Sequence, residues 1–252
     1  LCSPFPLLAG LLFTFLVHFL WFFGINGHNV LYMITDRYYG SLMLENAHTA
    51  SFGFPPPYII HTGFNNAYIQ LGGSGAVLAL VIAVFLVSRN KNTRTIAKIG
   101  LPASLFNISE IISFGIPTVC NPIFLLPFLF APILNLLLAY AATYLNFVPR
   151  ISQVVDWTIP IFFSGYLATD SLRGLILQAL LLGLDVLIYL PFVRFYDTVK
   201  ERQFTRQVRQ LESYYQQKEA RLERLRTTDF SDEQQTLCTL LISELQDAIR
   251  KK

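Results

Sequence analysis

The sequence predicts an all-α membrane protein: a multi-helix transmembrane domain with re-entrant elements, followed by a cytoplasmic helical tail. Three observations predict it. The 252 residues are 53% hydrophobic and only 14% charged, against roughly 25% charged in a soluble domain. The charge is segregated, because residues 1–193 hold 7 Lys/Arg and 6 Asp/Glu whereas residues 194–252 hold the remaining 12 and 10. Apolar blocks near the roughly 20 residues that a membrane helix needs recur along the first part. The 22 Phe and 12 Tyr suit a bilayer and its interfaces. The composition break divides the chain into a membrane domain (1–193), a cytoplasmic coiled-coil linker (194–226), and a linker with the first helix of a following domain (227–252).

The first block is Phe5–Phe23. It lacks a preceding basic region and is long for a signal peptide, so Leu1 reads as a point inside a longer protein. Gly24–Leu71 is too long for a simple loop in a compact domain and predicts an interfacial or re-entrant helix near Ser41–Phe52. "GGSGA" (Gly72–Ala76) opens the second block, Gly72–Ser88, with small residues that allow close helix packing. It lacks the Lys-Ser/Thr of a phosphate loop.

"RNKNTRTIAK" (Arg89–Lys98) carries four cations and no acid and is therefore placed in the cytoplasm. The start of the tail, "FVRFYDTVKERQ", is also basic and receives the same side. Two crossings are then needed between them, and Pro122–Val148 and the span ending at Leu190 supply them. The stretch from Arg94 to Pro122 must enter the membrane and return. Gly100, Pro102, Gly115 and Pro117 break it. Such backbone survives at membrane depth only under cover of protein or a water-filled cavity, and transporters build substrate sites from it. The last block, Ile159–Leu190, breaks at Asp170–Arg173 into a short segment and a helix, Gly174–Leu190. Asp185 in that helix faces protein or water.

In the tail, Phe204, Val208, Leu211, Tyr215, Lys218, Leu222 and Leu225 are spaced 4-3-4-3-4-3, a heptad seam that suits pairing of two subunits. Ser231 is a helix cap for a final amphipathic helix, Thr236–Arg250.

Glu110 is the main candidate for chemistry. An ionisable group at membrane depth is costly and marks a ligand or pathway more often than a structural ion pair. Asn107, Ser109 and Asn121 stand nearby. One carboxylate among neutral hydrogen-bonding groups suits a polyhydroxylated ligand such as a sugar and does not suit a metal ion. His28, after the turn-like "GING", is a second candidate, and Asn66 a third. His18 reads as a packing residue. No His pair has zinc spacing, and Cys2, Cys120 and Cys238 share no ligand spacing. No metal, no cofactor and no nucleic-acid partner is expected.

Several stretches resemble, in order, the membrane component IIC of the bacterial sugar phosphotransferase system, lactose/cellobiose type. They are "FLWFFGINGHNVL" (Phe19–Leu31), "ENAHTA" (Glu45–Ala50), "GFNNAYIQLGGSGAVLAL" (Gly63–Leu80), "LFNISEIISFGIPTVCNPIFLLPFLFAPILN" (Leu105–Asn135), "VDWTIPIFFSGYLATDSLRGLILQ" (Val155–Gln178) and "LIYLPFVRFYD" (Leu187–Asp197). The resemblance implies the C-terminal half of a homodimeric carrier in the bacterial inner membrane. Such a carrier binds a sugar, often a disaccharide, which a cytoplasmic IIB-like component phosphorylates. Glu110 matches the family's site carboxylate, with Ile111 in place of its Pro. Asn26 stands where the family typically has a histidine, and His28 lies two residues on. Asn cannot accept a proton as His can, so the change favours binding over help with phosphoryl transfer. His28 is the candidate to substitute for that histidine, although a shift of two residues usually changes the direction of a side chain. "LLISELQDAIRKK" (Leu240–Lys252) resembles the opening helix of EAL-type cyclic-di-GMP phosphodiesterase domains. That resemblance raises an alternative function: a membrane sugar sensor regulating a fused phosphodiesterase through the tail.

Overall fold

In the computed structural model, residues 5–227 are described. Among them every regular element is helical. The chain divides into two compact units after Asp197.

The first unit is built on two antiparallel partners. α1 (Pro6–Phe22) begins with a proline at its first turn, where the missing N–H costs nothing. It packs against α8 (Pro122–Tyr144). α8 is capped by Asn121, whose side chain accepts from the Ile123 N–H at 3.0 Å. Its buried positions Phe124, Phe128, Ala131, Asn135 and Ala139 recur every three or four residues, while Leu126, Phe130 and Leu137 stay exposed. That is one face on protein and one face available to lipid. With 23 residues, α8 is long and apolar enough to cross a membrane.

Between α1 and α8 the chain forms two broken-helix excursions. Short α2 (Gly27–Val30) leads to a π-helical segment, Met33–Tyr39, and to α3 (Gly40–Ser51), the helix expected near Ser41–Phe52. The first excursion then runs α4 (Thr62–Phe64), a π-helical turn Asn65–Ile69, a glycine loop, and α5 (Val77–Val87). The second runs α6 (Lys91–Leu105), a reversal at 106–109, and α7 (Glu110–Gly115). α5 packs on α6 and α6 on α7.

Three sequence expectations need correction here. Gly72–Ala76 does not open a helix. Gly72, Gly73, Gly75 and Ala76 all have positive φ, so the loop makes a tight reversal and α5 starts at Val77. α5 is therefore only 11 residues, about 16 Å at 1.5 Å per residue and too short to span a bilayer. It is buried nearly all round, from Val77 to Val81, as a core helix whose apolar surface meets protein. Finally, α6 continues through Gly100 and Pro102 to Leu105; the break comes later, at Asn107 with φ 61°.

The chain after α8 returns through α9 (Phe163–Thr169) to α10 (Leu172–Thr227). The break between them falls at Asp170, in the left-handed region with φ 47°. α10 does not end near Leu190. Pro191 lies inside it and the helix runs on for 56 residues in all, because a proline removes one N–H bond and good helix formers follow. Asp185 faces protein, as expected: Asn135 Nδ2 on α8 donates to its Oδ2 at 2.7 Å, and both residues are fully buried. In the second unit, Phe204, Val208 and Leu211 of the heptad seam are exposed. The Lys218 ammonium sits 5.0 Å over the Tyr214 ring. Ser231 and the expected helix 236–250 lie outside the described residues.

Candidate functional site

The tips of the two excursions meet, and a side chain joins them. Asn107 Oδ1 accepts from the Gly72 N–H at 2.9 Å. Its Nδ2 donates to the Trp157 carbonyl at 2.6 Å and the Ile159 carbonyl at 3.3 Å. Gly73 makes the fit possible. A Cβ there would stand 2.7 Å from the Asn107 carbonyl and 2.7 Å from Ser109 Cβ, at φ +96°. From behind, Gln178 of α10 pins the same layer. Its Oε1 accepts from the Phe162 and Gly165 N–H groups, and its Nε2 donates to the Ala67 carbonyl and Ser164 Oγ.

A cleft of about 260 Å³ opens beside these tips. Glu110, Asn107, Asn26, His28 and Asn66 all line it, although they come from three separate stretches of sequence. Glu110 opens α7 and is exposed to the cleft. Among the described residues it has neither an ion pair nor a hydrogen bond. Asn26 caps α2 by accepting from the Asn29 N–H at 3.1 Å, which leaves its amide N–H groups open. Gly27 lets this turn lie against α1, since a Cβ would come within 2.3 Å of the Val17 carbonyl. Asn66 Nδ2 makes one long bond, 3.5 Å to the Val155 carbonyl.

His28, the second candidate from the sequence, lines the cleft with Asn26 despite the two-residue offset between them. α2 is a single tight turn, and both Asn26 and His28 lie at its cavity end. Gln70 Nε2 donates to His28 Nε2 at 2.8 Å, and Asn65 Nδ2 approaches the same atom at 3.3 Å. The ring is thus held as an acceptor at Nε2. His18 behaves as a packing residue: buried, its Nδ1 bonded to the Thr14 carbonyl at 2.8 Å. His61 caps α4.

Sequence reasoning missed much of the wall. Asp36 of the π-helical segment brings a second carboxylate, Gln70 and Ser74 bring further polar groups, and Tyr32, Trp21 and Trp157 bring aromatic surface. Trp21 is buried and, among the described residues, its indole N–H has no partner, an uncommon state for a buried donor. Asp36 carried a readable signal, a charge in a block dominated by apolar and aromatic residues. Trp157 did not, because bonds from distant residues, Asn107 to Trp157 and Ile159 and Asn66 to Val155, bring its loop to the site. Among the described residues no three metal-ligating side chains come together.

A second cavity, of about 240 Å³, is lined by Tyr38, Tyr39, Tyr58, Tyr140, Tyr144, Arg150 and apolar residues. It lacks carboxylate, imidazole and amide side chains and is the poorer match for a ligand dense in hydroxyls.

Residues 4–132 match the family model described as "Phosphotransferase system, EIIC". The chain belongs to this EIIC family. It is 33% identical over 189 residues to the oligo-beta-mannoside-specific EIIC component of Bacillus subtilis (strain 168), covering 74% of this chain and 43% of that protein. It is 31% identical over 220 residues to the cellobiose-specific EIIC component of Lactococcus lactis subsp. lactis (strain IL1403), covering 77% and 44%. The fold matches the crystal structure of the transporter ChbC, the IIC component from the N,N'-diacetylchitobiose-specific phosphotransferase system. That match has a TM-score of 0.76 at 35% identity and covers 79% of this chain and 46% of that one. The chain therefore spans less than half the length of these relatives. EIIC components are integral membrane proteins, and the apolar α8 and α10 suit that placement.

Proposed function

We propose that this chain forms the sugar-binding part of an EIIC permease that takes a β-linked di- or oligosaccharide across the bacterial inner membrane. The observation that carries the reading is Glu110. It is an unpaired carboxylate in a cleft otherwise rich in neutral amides, hydroxyls and aromatic rings. Carboxylates and amides supply the directional bonds that orient hydroxyls, and Trp157 and Tyr32 supply flat apolar surface. The relatives named for cellobiose and oligo-beta-mannosides favour the same ligand class.

In this reading Glu110, Asn26, His28 and Asn66 contact the sugar, while Asn107 acts mainly by fixing the backbone around them. A IIB-like component is the phosphoryl donor, the protein works as a homodimer, and the tail lies in the cytoplasm. The experiment is a calorimetric titration of cellobiose and lactose into the full-length protein in detergent. Glu110→Gln should weaken binding at least about tenfold, since a hydrogen bond to a charged group is worth about 1.5–3 kcal/mol. Unchanged affinity sinks the role of Glu110.

A second reading, sensing, is favoured by one observation: α10 runs unbroken from Leu172 to Thr227. A fused phosphodiesterase beyond residue 252 would then be the output. Uptake of labelled cellobiose by cells at the rate of a working permease counts against it.

A further inference from the structure

Among the described residues two carboxylates, Asp36 and Glu110, line the cleft and no lysine or arginine does. Its single histidine, His28, receives amide N–H groups at Nε2, which only the neutral ring can accept. Among the described residues Asp36, like Glu110, has no hydrogen bond or ion pair. Among the described residues, then, no partner neutralises either charge.

We infer that Asp36 is a specificity-determining residue: with Glu110 it makes the cleft select neutral saccharides and reject anionic ones. The inference rests on the saccharide reading above and adds the ligand's charge to it. A hydroxyl can donate to a carboxylate. A carboxylate or phosphate ester on the sugar is anionic at neutral pH and meets two like charges in the cleft. One such pair about 8 Å apart, at an effective dielectric near 20, lowers affinity roughly thirtyfold. A metal ion does not resolve the pair, because Ca²⁺ takes about six to eight oxygens and no third metal-ligating side chain joins these two among the described residues. The π-helical segment that carries Asp36 is itself uncommon and often marks a functional site.

The test uses full-length protein in nanodiscs carrying labelled cellobiose, with unlabelled cellobiose and cellobiouronic acid as competitors. Wild type should bind the uronic acid at least about tenfold more weakly than cellobiose at low salt, and the gap should narrow in 1 M salt, where the screening length is about 3 Å. Asp36→Asn, which keeps shape and removes one charge, should raise the ratio of uronic acid to cellobiose affinity at least about fivefold. Equal affinity for the two sugars in wild type, a gap insensitive to salt, or an unchanged ratio in Asp36→Asn overturns the inference while leaving the saccharide reading intact. If neither cellobiose, lactose nor chitobiose binds at all, the saccharide reading fails and takes this inference with it.

Discussion

Asn107 and Glu110 are three residues apart in one short reversal, and they do opposite things. Asn107 spends both ends of its amide on three backbone groups. Among the described residues the Glu110 side chain has no partner. The same contrast divides the whole region. On one side, Asn107, Gln178 and the Gly72–Ala76 loop form a satisfied scaffold. On the other, Glu110, Asp36 and the Trp21 indole present unsatisfied groups to a cleft. A buried polar group that finds no partner, such as the Trp21 indole, costs free energy, whereas the two exposed carboxylates stand open to water or to a ligand in the cleft. The number of bonds already made therefore separates support from recognition better than residue type does.

The largest test of that division is Asn107→Ala. It strips three backbone groups of their partner and forces an alanine to hold φ 61°. Together these should cost about 3 kcal/mol. The thermal midpoint in detergent should drop by several degrees, and sugar binding should fall with it. A variant as stable as wild type that still binds normally would make Asn107 dispensable and remove the scaffold side of the contrast.

Gly73→Ala comes next. Its Cβ would press into Asn107 and Ser109 backbone and side chain at 2.7 Å, with a positive φ that alanine disfavours. A loss of about 2 kcal/mol is expected, read from the same melt. The opposite outcome is expected at Glu110→Gln, which should leave the melt within about 0.5 kcal/mol of wild type while removing sugar affinity. If Glu110→Gln destabilises as strongly as Asn107→Ala, the carboxylate is structural and the division collapses.

Much of this was legible in the sequence, and the residues show why. Glu110 stands out because a charge is rare in an apolar block. The helix near Ser41–Phe52, the break at Asp170, and the inward-facing Asp185 follow from the same kind of local anomaly. What was hidden depended on partners far along the chain. Asn107 looked like a ligand contact until its 35-residue link to Gly72 and 50-residue link to Trp157 were visible. α5 looked like a membrane span because burial in protein and burial in lipid select the same residues. The glycine loop looked like a packing motif because composition does not report φ. Asp36 lies in the π-helical segment Met33–Tyr39, a geometry that composition does not report.

Asn26 is the case between the two classes, and it sets the smallest and most informative expectation. Its Oδ1 is committed to the cap of α2, while its amide N–H groups remain open beside the cleft. The two roles can be separated atom by atom. Asn26→Asp keeps the capping acceptor, so stability should move by a few tenths of a kcal/mol at most. It removes the open donors and adds a third carboxylate, so cellobiose affinity should fall a few-fold and uronic acid affinity further. Asn26→Ala loses the cap and the donors together and should cost about 1 kcal/mol of stability. If Asn26→Asp leaves both sugar affinities at wild-type values, the open amide is not part of the binding wall. Asn26 would then join Asn107 on the scaffold side, and recognition would narrow to Glu110, Asp36 and the groups around His28.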